Sequence, residues 1–113
     1  MSPKIDWLDP WYPIDDGTGL ELELARELTP GHVLFGRRVT AIGRRNGRDD
    51  VLFWLPDEGD AVACVHLTWI GKPEQQPVWP WTEIFSSPQE WMREVMFPDH
   101  HEEDGPLPRR ERS

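Results

Sequence analysis

Apolar positions change their spacing several times along the chain, and each spacing predicts an element. Leucines at positions 20, 24 and 28 recur every four residues, which places them on one face of a helix. Thr18 and Glu21 have the form of a capping box at the start of this helix. Thr29-Pro30-Gly31 ends it, so the sequence predicts a helix over residues 18–27.

Four later segments alternate as β-strands do. They are residues 36–45, 50–55, 61–70 and 78–85. Asn46-Gly47 joins the first two as a tight hairpin, since both residues tolerate positive φ. The third segment is apolar on both faces at first, which is typical of an interior strand. Pro80 cannot donate to a ladder, so the fourth segment is predicted at an edge or a bulge.

A second helix is predicted after these strands. Ser87 and Glu90 again have capping-box form, with Pro88 at the first helical position. Apolar residues then follow at helical spacing, and Pro98 is expected to end the helix. These apolar residues are Trp91, Met92, Val95 and Met96.

The order of elements predicts a single α+β domain over residues 1–101. Its first 17 residues, rich in proline and aromatic side chains, are expected to form an extended arm. The rest is predicted as an antiparallel meander of three or four strands, with an N-terminal and a C-terminal helix packed on one face. Residues 102–113 are charged, lack apolar periodicity and are expected to form a disordered tail.

Composition favours a folded, cytoplasmic protein. The chain has 113 residues, seven of them tryptophan, and each buried indole removes a large apolar area from water. Cys64 is the only cysteine, which excludes an internal disulfide and a cysteine-cluster zinc site. No signal peptide and no membrane-spanning stretch is recognised, and a reducing cytoplasm fits best.

Charge is distributed unevenly. Residues 36–48 carry five arginines and no acid, whereas residues 49–108 carry thirteen acids and two bases, and the net charge is −9. Such a field repels nucleic acids and anionic membranes and favours a basic protein partner. The arginines at 37, 38, 44, 45 and 48 are expected to pair with neighbouring acids, with an anion site or a polar interface as the alternative.

Two sets of residues are candidate binding sites. Trp79 and Trp81 flank Pro80 on the predicted edge segment, where aromatic side chains serve either recognition or closure of a small core. His66, Thr68 and Trp69 lie at the end of the third strand, where a histidine can orient a ligand or bond its own backbone surroundings.

Catalytic and metal-binding signals are weak. The chain contains no glycine-rich phosphate loop, no nucleophile elbow and no zinc-protease motif. Cys64 and His66 share a strand face but lack an orienting third group. The run from Asp99 to Asp104 has metal-ligand donor types without a fixed geometry. We therefore expect no catalytic residue, no metal and no cofactor, and enzymatic activity is the less favoured hypothesis.

Several strings resemble a group of small bacterial cytosolic proteins. They are Gly36 to Ile42, Asp49 to Phe53, Trp79-Pro80, Trp91 followed by Asp99-His100, and, most specifically, Val65-His66-Leu67-Thr68-Trp69. The resemblance covers roughly residues 20–101. It implies a compact stand-alone cytosolic domain and carries no activity.

Three functions remain open from the sequence. The leading hypothesis is a protein-binding module, with an immunity protein or antitoxin that neutralises a basic toxin as its specific form. The second is a small-molecule binder or enzyme with a cleft around His66. The third is a structural subunit of a larger assembly.

Overall fold

The computed structural model describes residues 3–104, with side chains described through His101. Its order is β1, α1, β2, β3, β4, β5, α2 and α3. The strands are β1 (Trp11–Pro13), β2 (Thr40–Arg45), β3 (Asp50–Trp54), β4 (Val62–His66) and β5 (Trp81–Phe85). The helices are α1 (Thr18–Glu27), α2 (Pro88–Trp91) and α3 (Phe97–Asp104), with a π-helical turn over Met92–Met96 between the last two.

The five strands form one antiparallel sheet in the order β1-β2-β3-β4-β5. The α+β class and the antiparallel meander are therefore confirmed, with five strands where three or four were predicted. The additional strand comes from the arm, because Trp11 to Pro13 pair with Arg45 to Gly43. Gly47 has a φ of 79° in the turn between β2 and β3, as the Asn46-Gly47 signal requires.

Helix α1 covers one face of the sheet. Leu20 and Leu24 pack there against Val51, Phe53 and Val65. These strand residues alternate with those of the opposite face, so the period of two in β3 and β4 assigns each side chain to one of two cores. The face that α1 covers is called the α1 face below.

The second helical segment packs on the opposite face, called here the α2 face. Trp91, Val95 and Met96 form a cluster there with Leu52 and Val62. The prediction that both helices pack on one face is therefore wrong. The reason is that β3 and β4 are apolar on both faces, so each face needs its own cover.

Tryptophans from the arm complete the core on the α2 face. The ring of Trp11 meets that of Trp91 edge-on, with centroids 4.9 Å apart, and Trp7 meets Trp91 at 5.9 Å. Trp7 lies directly over Gly43, where any Cβ would overlap its ring. The arm is therefore part of the fold.

Two predicted helix boundaries are corrected. Thr18 is not a cap residue: Gly17 occupies that position, and the hydroxyl of Thr18 donates to Asp16. The carboxylate of Glu21 accepts instead from the backbone N–H of Ala41, because α1 lies against β2. Pro98 does not end the helix: it falls in the first turn of α3, where a missing N–H is tolerated.

The predicted cap of α2 by Ser87 is confirmed, whereas the return bond of the capping box comes from Ser86 and not from Ser87. The hydroxyl of Ser87 accepts from the N–H of Glu90 at 3.1 Å, and the carboxylate of Glu90 accepts from the N–H of Ser86. Residues 102–104, which were assigned to the predicted tail, continue α3 as helical backbone. The remainder of that tail, residues 105–113, lies outside the described residues.

Candidate functional site

Exposed apolar side chains lie on both faces of the edge strand β5 and beside its start. No described strand pairs with its outer side. Trp79 and Trp81 are 41% and 40% exposed, and their ring centroids lie 6.3 Å apart. We call this group the β5 surface. Its members are Val33, Val78, Trp79, Trp81 and Ile84.

Buried His32 holds the backbone between the two indoles. Its Nδ1 accepts from the N–H of Leu34 at 2.9 Å, so Nε2 carries the proton and donates to the carbonyl of Pro80 at 2.9 Å. The hydroxyl of Thr82 donates to the same carbonyl. His32 was not predicted as a site residue, because its only signal in the sequence was a polar ring in a loop with no acidic neighbour.

Two open clefts border the β5 surface. One has a volume of about 360 Å³ and lies between the 31–33 loop and the start of β5, where His32, Val33, Val78 and Trp81 line it. The other, of about 340 Å³, lies between the polar loop at 70–76 and Trp79. Both are open to solvent, a shape suited to a chain segment more than to an enclosed small molecule.

His66 lies on the α2 face of the sheet. Its Nδ1 is 2.7 Å from Oδ1 of its cross-strand neighbour Asp50, and its other cross-strand neighbour is Trp81. The side chain of His66 is about half exposed. None of the clefts at Trp69, Trp79 and Trp81 includes His66, so the structure does not join His66 to them.

Thr68 and Trp69 follow β4 in a loop that two glutamates of α1 hold in place. The carboxylate of Glu27 accepts from the N–H groups of Thr68 at 3.0 Å and of Trp69 at 2.8 Å. Glu23 accepts from the N–H of Gly71 at 3.1 Å. The hydroxyl of Thr68 donates to Glu74, so the side chain of Thr68 stabilises the loop.

Glu23 and Glu27 share a hydrogen bond between their carboxyl groups, and it shifts the pKa of each in opposite directions. Burial raises the pKa of Glu27, and its hydrogen bond with Glu23 raises it further, against the lowering effect of the backbone N–H donors. The same hydrogen bond is the main cause that lowers the pKa of Glu23. No role was predicted for either glutamate from the sequence. Their i, i+4 spacing was the only available signal.

Three of the five clustered arginines pair with acids. Arg37 binds Glu58 and Arg38 binds Asp57 at the surface, each at 2.9 Å. Arg45 is buried beside Asp99, with Nε 3.2 Å from Oδ2 though not in hydrogen-bonding geometry. Asp99 also accepts from the indole N–H of Trp11 at 2.9 Å. Asp99 is therefore a core residue.

Metal-ligating residues do not converge in the described part of the chain. No group of three or more histidine, cysteine or acidic side chains capable of holding an ion occurs there. His100 bonds the backbone carbonyl of Asp9 through Nδ1 at 2.8 Å. Between residues 3 and 104, no helix combines the length and the apolar character that crossing a bilayer requires.

Comparison with known proteins adds no relative: no family model, no curated protein and no solved structure matches the chain.

Proposed function

We propose that the chain is a protein-recognition module whose β5 surface binds an extended, basic segment of a partner protein. One observation carries the proposal: two neighbouring, partly exposed tryptophans lie at the β5 edge of the sheet, where no strand of the described chain pairs. Backbone groups at such an edge can pair with an added strand, and tryptophan is the residue type most enriched at the centre of binding interfaces.

Side chains on both faces of β5 suit an added strand. Trp81 lies on the α2 face beside His66, whereas Ile84 lies opposite Ala63 on the α1 face. Both are exposed. A strand added beyond β5 would cover them from either side while its backbone continued the ladder.

The acidic residues around β5 favour a partner segment of positive charge. Residues 73–92 contain Glu74, Glu83 and Glu90 and no lysine or arginine, within a chain of net charge −9. Electrostatic complementarity of this kind speeds the encounter with a basic segment and rejects an acidic one.

Selection from a random peptide display library tests the proposal. We expect enriched peptides to carry lysine or arginine at alternate positions among β-branched residues. Trp81→Ala should weaken their binding by about 2 kcal/mol or more. N-methylation of alternate peptide nitrogens should also abolish binding, because it removes the ladder donors.

Trp69→Ala is the matched control, since Trp69 is 44% exposed but lines a cleft with Tyr12 and Arg44 and neither of the clefts at the β5 surface. Its peptide affinity should equal that of the wild-type protein. Enrichment of acidic peptides, or equal binding by the Trp81→Ala protein, would contradict the proposal.

A further inference from the structure

A second surface, independent of β5, lies where the arm, the β2–β3 hairpin and the loop after β4 meet. Tyr12 and Arg44 are cross-strand neighbours in β1 and β2. The guanidinium of Arg44 lies 5.8 Å from the ring centroid of Trp69, a cation–π arrangement. We call these three residues the Arg44 surface.

Two clefts meet at this surface and share Tyr12 and Arg44. The first, of about 330 Å³, is bounded by Ile14, Leu20 and Trp69. The second, of about 280 Å³, lies over the hairpin turn and is bounded by Asn46, Gly47 and Arg48. The first therefore offers apolar side chains and the second offers a second arginine.

Arg44 and Arg48 are the members of the arginine cluster that pair with no acidic side chain in the described part of the chain. Among the described side chains, no carboxylate oxygen lies within 4.0 Å of either guanidinium. Two acids also border the clefts, and each accepts a hydrogen bond from a nearby side chain or N–H group. Asp49 accepts from the indole N–H of Trp69, and Asp16 accepts from Thr18.

Trp69 reaches this surface through a backbone conformation that its side chain disfavours. Its φ of 61° makes it the one non-glycine residue with positive φ in the described chain, which is unusual for a bulky side chain. The hydrogen bond from its N–H to buried Glu27 holds the conformation. A strained backbone conformation persists where surrounding contacts hold it in place, and such conformations are concentrated at functional sites.

We propose that the Arg44 surface binds a small monocarboxylate with a flat apolar body. The carboxylate pairs with the guanidinium of Arg44, whose planar fork matches its two oxygens, and Arg48 adds positive charge. The apolar body lies in the cleft bounded by Ile14 and Leu20. A monoanion is preferred to a phosphate dianion, since the net charge of −9 opposes each additional negative charge.

Titration with phenylacetate, followed through the tryptophan indole N–H signals in ¹⁵N-resolved NMR spectra, tests this assignment. The Trp69 signal is identified by its loss in Trp69→Phe. It should move with saturable dependence on phenylacetate, and the affinity should fall about tenfold or more in Arg44→Gln. Arg44→Lys should lose most of the affinity as well, because it keeps the charge and removes the fork.

Arg38→Gln is the matched control, because Arg38 is an exposed arginine paired with Asp57 and borders neither cleft. Its affinity for phenylacetate should be unchanged. The proposal is overturned if phenylacetamide or inorganic phosphate binds as well as phenylacetate. It is also overturned if Arg38→Gln loses affinity equally, or if the Trp69 signal does not move in any titration of folded protein.

Discussion

Trp91 is the residue on which the core of the α2 face depends most. Its side chain is fully buried, and the rings of Trp7 and Trp11 contact it edge-on. We expect Trp91→Ala to lower the free energy of unfolding by about 3–5 kcal/mol, through lost burial and the cavity left behind. Trp81→Ala should cost below about 1 kcal/mol. Urea denaturation of both variants measures the contrast, and similar losses would refute these roles.

Asp99 is the second residue whose loss should be costly. It is buried, accepts from Trp11 and lies beside the buried guanidinium of Arg45. Asp99→Asn preserves the shape but leaves a buried positive charge uncompensated, so we expect a loss of about 3–5 kcal/mol. Asp57→Asn removes the acid of an exposed pair and should cost below about 1 kcal/mol. Equal thermal shifts in the two variants would contradict the core role of Asp99.

At the scale of elements, the two helix starts differ although their sequences are alike. Ser87 accepts the N–H of Glu90 and closes the first turn of α2. Thr18 donates to exposed Asp16 and accepts nothing from α1. Ser87→Ala should therefore cost about 1 kcal/mol, and Thr18→Ala less. Thermal unfolding of the two alanine variants gives the comparison, and a larger loss at Thr18 would show that our assignment of its cap is wrong.

The contact between α1 and the loop after β4 should depend on pH. A raised pKa of Glu27 gives stability that is complete below the ordinary value of 4.5 and is lost as pH rises through the raised value. A lowered pKa of Glu23 gives stability that is present above 4.5 and is lost as pH falls through the lowered value. The contact is thus strongest between the two pKa values.

Glu27→Gln tests the part of this dependence that lies above pH 4.5. Glutamine has no proton to lose, so the variant should lack the fall in unfolding free energy that we expect of the wild-type protein as pH rises above 4.5. It should also be less stable in the weakly acidic range, because its amide nitrogen cannot accept a backbone N–H. Urea midpoints across a pH series measure both effects. If the urea midpoints of the two proteins changed with pH in parallel, the raised pKa of Glu27 would be contradicted.

For the whole molecule, two cores share one five-stranded sheet. Neighbouring residues of β3 point into different cores, as Val51 and Leu52 do. Loss of either core therefore exposes one face of the same strands, and we expect a single cooperative transition. Leu24→Ala on the α1 face should shift the far-ultraviolet dichroism and the tryptophan fluorescence to the same lower midpoint. Separate midpoints for the two signals would show that the faces unfold independently.

Much of the fold followed from local patterns. Alternation in β3 and β4, the Asn46-Gly47 turn and the Ser87 cap depend on neighbours in sequence, so these strands, the hairpin and the start of α2 were predictable. The predicted third strand was too long, because β4 ends at His66 and not at residue 70. The edge position of β5 was predictable as well, because Pro80 lacks a backbone donor. The exposed pair Trp79 and Trp81 was thereby available from the sequence as a candidate site.

The tertiary structure alone decided which faces the helices cover and which polar residues are buried. The apolar spacing of α1 and α2 shows that each helix has a buried face, but it does not show which face of the sheet that helix packs against. Their placement on opposite faces could therefore not be predicted from the sequence. Glu27, Arg45 and Asp99 look like surface charges in sequence, and only contacts with distant backbone or side chains make their burial tolerable. Arg44 and Trp69 lie 25 positions apart. Their meeting depends on strand register and on one residue at positive φ, so it is a property of the folded chain.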